Sequence, residues 1–98
     1  MALGGVDIGT SGCKCTVMTT DGRFLASRYQ AYAVSRTAGA HEVEADLIWE
    51  AVQEVIRGAC ADSAEPVEAL CVTSFGESCV PVDKRGQALS PILLYTDP

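Results

Sequence analysis

A glycine-rich turn between two alternating runs constrains this chain more than any other feature. Residues 6–14 read Val6-Asp7-Ile8-Gly9-Thr10-Ser11-Gly12-Cys13-Lys14. An apolar run, 3–8, precedes the turn. In the run that follows, 13–19, Cys13, Cys15 and Val17 alternate with Lys14, Thr16 and Met18. A period of two is the signature of a strand, so the turn joins strand to strand. Glycines permit positive φ and let a ligand approach the backbone closely. Successive N–H groups in such a turn form an anion-binding concavity. A carboxylate at the end of a strand, here Asp7, suits a hydrated Mg²⁺, which binds through one or two carboxylates plus phosphates. Phosphate cradle, metal acid and the basic Lys14 together point to a nucleotide site. The stretch is neither a G-x-x-x-x-G-K-[ST] loop nor a G-x-G-x-x-G turn. An ordinary tight hairpin capped by Asp7 is the competing reading of the same residues.

The rest of the chain fits a small α/β unit. Thr20-Asp21-Gly22 predicts a hairpin turn, since Asp-Gly between alternating runs is a strong hairpin signal. A third strand is expected over 23–34, with Leu25, Tyr29, Ala31 and Ala33 on one face, completing an antiparallel meander. Residues 35–43 read as a loop carrying His41, to which no role is assigned. Asp46 has the character of a helix N-cap. Ile48, Val52, Val55, Ile56 and Ala59 then share one face of a helix over about 47–61, opposite Glu50, Gln53, Glu54 and Arg57. Trp49 is expected to pack. Residues 67–73 predict a strand apolar on both faces, as for a buried parallel strand, and a right-handed crossover would set it parallel to the first. A last hairpin is expected from 78–82, a turn at 83–86, and 89–95, with Pro91 limiting that arm to an edge.

One helix cannot cover both faces of a mixed sheet. The expectation is therefore an incomplete domain over residues 1–98, the front part of a longer chain, with an apolar face exposed. Such a face and an open sheet edge favour self-association or a homo-oligomer.

Charge and cysteine content narrow the partners. The formal charge is −6, and eight of the thirteen acids fall between Glu42 and Glu68. That balance argues against a nucleic-acid partner, and the acid run reads as a solvated helix face. No apolar run approaches the ~20 residues of a membrane span. The start lacks the positive region of a signal peptide. Cys13, Cys15, Cys60, Cys71 and Cys79 show no C-x-x-C spacing, so reduced, mostly buried thiols in a cytoplasmic protein are expected. A metal site of Cys13, Cys15 and His41 would lack the closely paired ligands usual for zinc.

The order β-β-β-α-β with a phosphate turn after the first strand resembles the ribonuclease-H-like half-domain that opens the actin-like ATPases. Two further stretches sharpen the likeness. Thr73-Ser74-Phe75-Gly76-Glu77-Ser78-Cys79-Val80-Pro81-Val82-Asp83, followed by Pro91-Ile92-Leu93-Leu94-Tyr95-Thr96-Asp97, resembles the FGGY carbohydrate kinases. Val43-Glu44-Ala45-Asp46-Leu47-Ile48-Trp49 resembles that family's E-x-D-P-x-x-W-W segment. The resemblance covers nearly the whole chain, with its motifs in the family's order.

The family transfers the γ-phosphoryl of ATP to a hydroxyl of a sugar or polyol. By resemblance, Asp7 would orient Mg²⁺ through water, and Gly9, Thr10, Ser11 and Gly12 would line the transferring phosphate with Lys14 approaching it. Glu77 would bind substrate hydroxyls, Ser74, Phe75 and Gly76 would border the same pocket, and Asp97 could face the sugar. Gly76 stands where glycerol-type enzymes carry arginine, and Tyr95 where others carry tryptophan or asparagine neighbours, which leaves the sugar open. The family's general base and adenine pocket would lie past residue 98, so these residues alone should be inactive.

Two other readings stay in view. One is an iron–sulfur ATPase activator of dehydratases on the same scaffold, which begins with a similar D-I-G-S-T-T-T-K. The other is a non-catalytic interaction module that kept the half-domain.

Overall fold

The computed structural model describes residues 1–32, 42–76 and 80–93. In chain order the elements are β1 (Ala2–Ile8), β2 (Gly12–Thr19), β3 (Phe24–Ala31), β4 (Glu42–Val43), α1 (Ala45–Asp62), β5 (Val67–Ser74) and β6 (Ile92–Leu93). The first three strands form the expected meander, and β5 lies parallel to β1, giving a four-stranded mixed sheet in the order β3-β2-β1-β5.

The strict alternation of β1 and β2 gives the sheet two unlike faces. Ala2 and Val6 on β1, with Cys13, Cys15 and Val17 on β2, are buried beneath the helix. Leu3, Gly5, Asp7, Lys14 and Met18 lie exposed on the open face. The hairpin between β2 and β3 closes at Gly22, whose φ of 90° suits glycine. There the Gly22 N–H donates to the Thr19 carbonyl over 3.0 Å and the Thr19 N–H to the Arg23 carbonyl over 2.9 Å.

Helix α1 buries Ile48, Ala51, Val52, Val55 and Ala59, and Ile56 packs at the margin. Fully burying side chains of the Val and Ile class is worth roughly 1.5–3 kcal/mol each, so this stripe dominates the attachment of the helix. The Arg28 guanidinium adds a forked contact to the Asp62 carboxylate, 2.6 and 3.1 Å, tying β3 to the last turn.

Six expectations about the fold need correction. The helix begins at Ala45, one residue before the proposed cap. Glu44 occupies the cap position without a side-chain hydrogen bond, and Asp46 sits in the first turn, where a carboxylate still favours the helix dipole. Trp49 does not pack among the described residues: it is 63% exposed. The third strand is regular only to Ala31, and the rest of its expected length, 33–34, lies outside the described residues. Of the loop expected over 35–43, residues 35–41 also lie outside them, and Glu42–Val43 form β4 instead.

β5 is not buried on both faces. Leu70 is 45% and Val72 57% exposed, because α1 lies over β2 and β3 and leaves this edge strand uncovered. Finally, the last hairpin turns at 83–86 as expected, the Gly86 N–H donating to the Asp83 carbonyl over 3.0 Å, but its arms pair only briefly. Val82 bridges Ala88, and the Asp83 carboxylate accepts the N–H groups of Arg85 and Gln87 at 2.8 and 3.0 Å. The following arm instead pairs as β6 with β4, antiparallel, in a separate two-stranded sheet.

Candidate functional site

The Asp7-to-Lys14 stretch forms the tip of the β1–β2 hairpin. Ile8 pairs with Cys13 and Asp7 with Lys14. The Gly9 N–H crosses the tip to the Gly12 carbonyl over 2.8 Å. Among the described residues, the N–H groups of Thr10 and Ser11 find no acceptor. Two consecutive free amides at a strand end are what an anion-binding concavity requires.

At position 12 glycine is needed for space rather than for dihedral freedom. Among the described residues only Gly22 and Gly86 have positive φ. A Cβ on Gly12 would instead lie 2.2 Å from the Tyr29 hydroxyl oxygen and 2.8 Å from the Gln30 carbonyl. The absence of a side chain thus lets Tyr29 lie over the start of β2.

Cross-strand register assembles a row on the open face. Tyr29 pairs with Lys14, Lys14 with Asp7, and Asp7 with Thr73, one residue from each strand of the sheet. Behind Asp7 a shallow recess of about 340 Å³ is lined by Gly5, Val6, Asp7, Thr16, Cys71 and Thr73. Asp7 and Lys14 are exposed, and neither takes part in an ion pair among the described residues. The second motif enters at the same end of the sheet. Ser74 pairs with Ile8, and the Phe75 N–H extends the ladder to the Ile8 carbonyl over 3.0 Å. The structure thus brings Asp7, Lys14, the turn at 9–12, Ser74 and Phe75 together, with Gly76 next in the chain. Glu77 and Asp97 lie outside the described residues.

The donor set suits a magnesium ion held chiefly by phosphate. Among the described residues no group of three His, Cys, Asp or Glu could hold a metal. One exposed carboxylate beside free amides is the arrangement for Mg²⁺ that keeps its waters and takes oxygens from a nucleotide. The two cysteines of β2 face away from this row. Cys13 and Cys15 are buried under the helix, where burial pushes both thiols up, away from the thiolate form that ligates or reacts. Cys71 is exposed, contrary to expectation; His41 and Cys79 lie outside the described residues.

Sequence reasoning missed Tyr32 and Tyr29. The Tyr32 side chain is buried, its hydroxyl contacts the Gly9 carbonyl, and it lies 3.1 Å from the Gly12 carbonyl. Burial, with smaller effects from Cys13, Tyr29 and Asp7, pushes its phenol up to about 12. No local motif marks either tyrosine; only the β2–β3 register brings them to the turn.

Residues 2–98 match the N-terminal domain of the FGGY family of carbohydrate kinases. The chain is 31% identical over 100 residues to a glycerol kinase of Haloarcula marismortui, a match covering 97% of this chain and 20% of that protein. A xylulose kinase of Streptomyces coelicolor is 31% identical over 94 residues, covering 95% of this chain and 19% of the relative. Among solved structures, a gluconate kinase from Lactobacillus acidophilus superposes with a TM-score of 0.90 at 25% identity, over 98% of this chain and 20% of that one. A xylulose kinase from Rhodospirillum rubrum reaches 0.92 at 22% identity, over 100% and 21%. The chain thus spans about a fifth of the length of the curated relatives it matches.

Proposed function

The chain belongs to the FGGY family of carbohydrate kinases, and from that premise we propose that residues 1–98 form the first part of the N-terminal domain of an ATP-dependent kinase. It transfers the γ-phosphoryl of ATP to a hydroxyl of a small sugar or polyol. The observation that carries the reading is the junction of two motifs at one sheet end: Asp7 and the free amides of Thr10 and Ser11 close β1, and Ser74 and Phe75 close the parallel β5 beside it. Ligands of open α/β sheets bind outside such strand ends.

The residue types suit phosphoryl transfer, which rests on positioning and on stabilising charge. The Thr10 and Ser11 amides and hydroxyls, between Gly9 and Gly12, donate to the transferring phosphate. Lys14 presents a positive charge one strand away from Asp7. Asp7 would hold Mg²⁺ through water, and the ion would supply positive charge to neutralise the phosphate. Ser74, Phe75 and Gly76 border the acceptor, and Glu77 and Asp97 accept its hydroxyl protons in hydrogen bonds. Gly76 in place of arginine favours a sugar or polyol other than glycerol. The general base and the adenine pocket come from beyond residue 98, so the 98 residues alone are inactive. We place the enzyme in the cytoplasm, as its reduced thiols would require.

Matches to carbohydrate kinases along nearly the whole chain favour this reading over the iron–sulfur activator, and turnover by the longer protein separates it from the interaction module. ADP release against a broad panel of sugars and polyols tests it, with the 98-residue chain and a protein of the relatives' length that carries it assayed together. The longer protein should turn over one small group of sugars or polyols in an ATP- and Mg²⁺-dependent manner, and the short chain none. Robust turnover by the short chain, or silence of the longer protein across the panel, would reject the proposal.

A further inference from the structure

Three of the four carbonyl groups at residues 9–12 meet one residue, Tyr32, which directly follows β3. The Tyr32 N–H donates to the Ser11 carbonyl over 3.1 Å. Its hydroxyl contacts the Gly9 carbonyl and lies 3.1 Å from that of Gly12. These contacts are not equivalent. The Gly12 carbonyl is already held by the Gly9 N–H, and the Ser11 carbonyl by a backbone donor that any residue but proline would supply. The Gly9 carbonyl is different: among the described residues, the Tyr32 phenol is its sole donor.

The peptide plane turns this contact into a statement about ligand binding. A trans peptide points its carbonyl and the next N–H in opposite directions. Tyr32 is buried in the core cluster with the helix residues, so its hydroxyl reaches the turn from the covered side of the sheet. A Gly9 carbonyl held on that side turns the Thr10 N–H away from it. Among the described residues, the Thr10 N–H is one of two amides in the turn without an acceptor. Glycine at position 9 has no side chain to resist rotation of this plane, so without the phenol the Thr10 amide would sample many directions.

We propose that Tyr32 is the positioning residue of the phosphate turn: its phenol holds the Gly9 carbonyl and thereby aims the Thr10 N–H at a bound phosphate. The inference rests on the kinase reading for the identity of the anion, though not for the geometry. Tyr32 touches no substrate. Its contribution is to fix a donor before the ligand arrives, so that binding need not order it.

The test uses the ¹⁵N-labelled 98-residue chain with inorganic pyrophosphate as the anion. In the wild type the Thr10 N–H order parameter should sit near ~0.85, the value of rigid backbone, and pyrophosphate should shift the Thr10 resonance. Tyr32→Phe keeps the ring and removes one hydroxyl. It should drop the Thr10 order parameter below about 0.6 while the strands stay rigid. The half-saturating pyrophosphate concentration should rise about fivefold, the scale of one hydrogen bond. 4-Aminophenylalanine at position 32, which restores a donor, should recover both values. Unchanged order and affinity in Tyr32→Phe would overturn the proposal, as would a wild-type chain in which pyrophosphate leaves Thr10 unmoved. If Tyr32→Phe fails to fold, the wild-type order parameter decides: a value below about 0.6 at Thr10 refutes the clamp. A failed sugar panel would remove the kinase reading and leave these readouts intact, so the two claims fall separately.

Discussion

Gly12→Ala should destabilise the chain although it replaces glycine within a strand, a change that ordinarily helps. The ordinary gain is about 0.4–1 kcal/mol, through loss of freedom in the unfolded chain. Against it stand the contacts of the new methyl group: 2.2 Å from the Tyr29 hydroxyl oxygen, 2.5 Å from its Cζ and 2.8 Å from the Gln30 carbonyl. Tyr29 is 61% exposed, so its ring can swing outward at small cost. The Gln30 carbonyl cannot move so freely, because Gln30 pairs with Cys13 in the β2–β3 ladder. Forcing a methyl into such a space costs about 1–3 kcal/mol, which leaves a net loss of roughly 1–2 kcal/mol. For a domain of this size that lowers Tm by about 5–15 °C. Gly5→Ala is the control, since a Cβ there meets nothing within 4 Å, and it should leave stability unchanged or raise it. Thermal melts followed by circular dichroism compare the two, and Tyr29→Ala in the Gly12→Ala background should restore only part of the loss. A Gly12→Ala chain as stable as wild type, or a Gly5→Ala chain equally damaged, would refute the steric argument.

Stability should fall in alkali through Tyr32. Its phenol is pushed from 10.0 to about 12 in the native chain; the folded state holds the proton more tightly, so the stabilisation is complete below the unfolded value and is lost as pH rises through the folded one. At about 1.4 kcal/mol per pH unit the loss is roughly 2–3 kcal/mol; identical alkaline profiles for wild type and Tyr32→Phe in urea titrations would contradict it. Val55→Ala, at a site 2% exposed, should cost roughly 1.5–3 kcal/mol. Arg28→Ala should cost less and lose its effect in high salt, because the Arg28–Asp62 pair is exposed; an Arg28→Ala loss that equals Val55→Ala and ignores salt would reverse the ranking. The uncovered β5 edge with Leu70 and Val72 should drive self-association that Val72→Lys weakens, and a wild-type chain monomeric by light scattering at high concentration would argue against it.

The parts of the fold that could be read in the sequence are those where local chemistry and tertiary structure agree. Alternation through residues 13–18 gave β2 and its two faces. Asp21-Gly22 gave the hairpin, and the spacing of Ile48, Val52, Val55 and Ala59 gave the buried stripe of α1. The parallel placement of β5 followed from connection rules and was met; its burial was not, because the helix lies over other strands. The cap at Asp46 failed for a local reason: the helix takes two more residues, Ala45 and Asp46, and begins behind Glu44 without a side-chain bond.

At the site, Asp7, Lys14 and the glycines could be singled out because they are contiguous in sequence. Tyr29 and Tyr32 could not, since their relation to the turn is a matter of register between strands. The role of glycine at position 12 was misjudged for the same reason: its neighbours are Tyr29 and Gln30, eighteen or so residues away, and not its own dihedral angles.

The proposed division of labour between the two motifs can be measured directly, by steady-state kinetics of Asp7→Ala and Glu77→Ala in a protein of the relatives' length that carries this chain. Loss of metal positioning at Asp7 should lower kcat. Loss of a hydroxyl contact at Glu77 should mainly raise KM for the sugar, as expected for an interaction equal in ground and transition states. Near-normal kcat and Mg²⁺ dependence in Asp7→Ala would contradict the account at its centre.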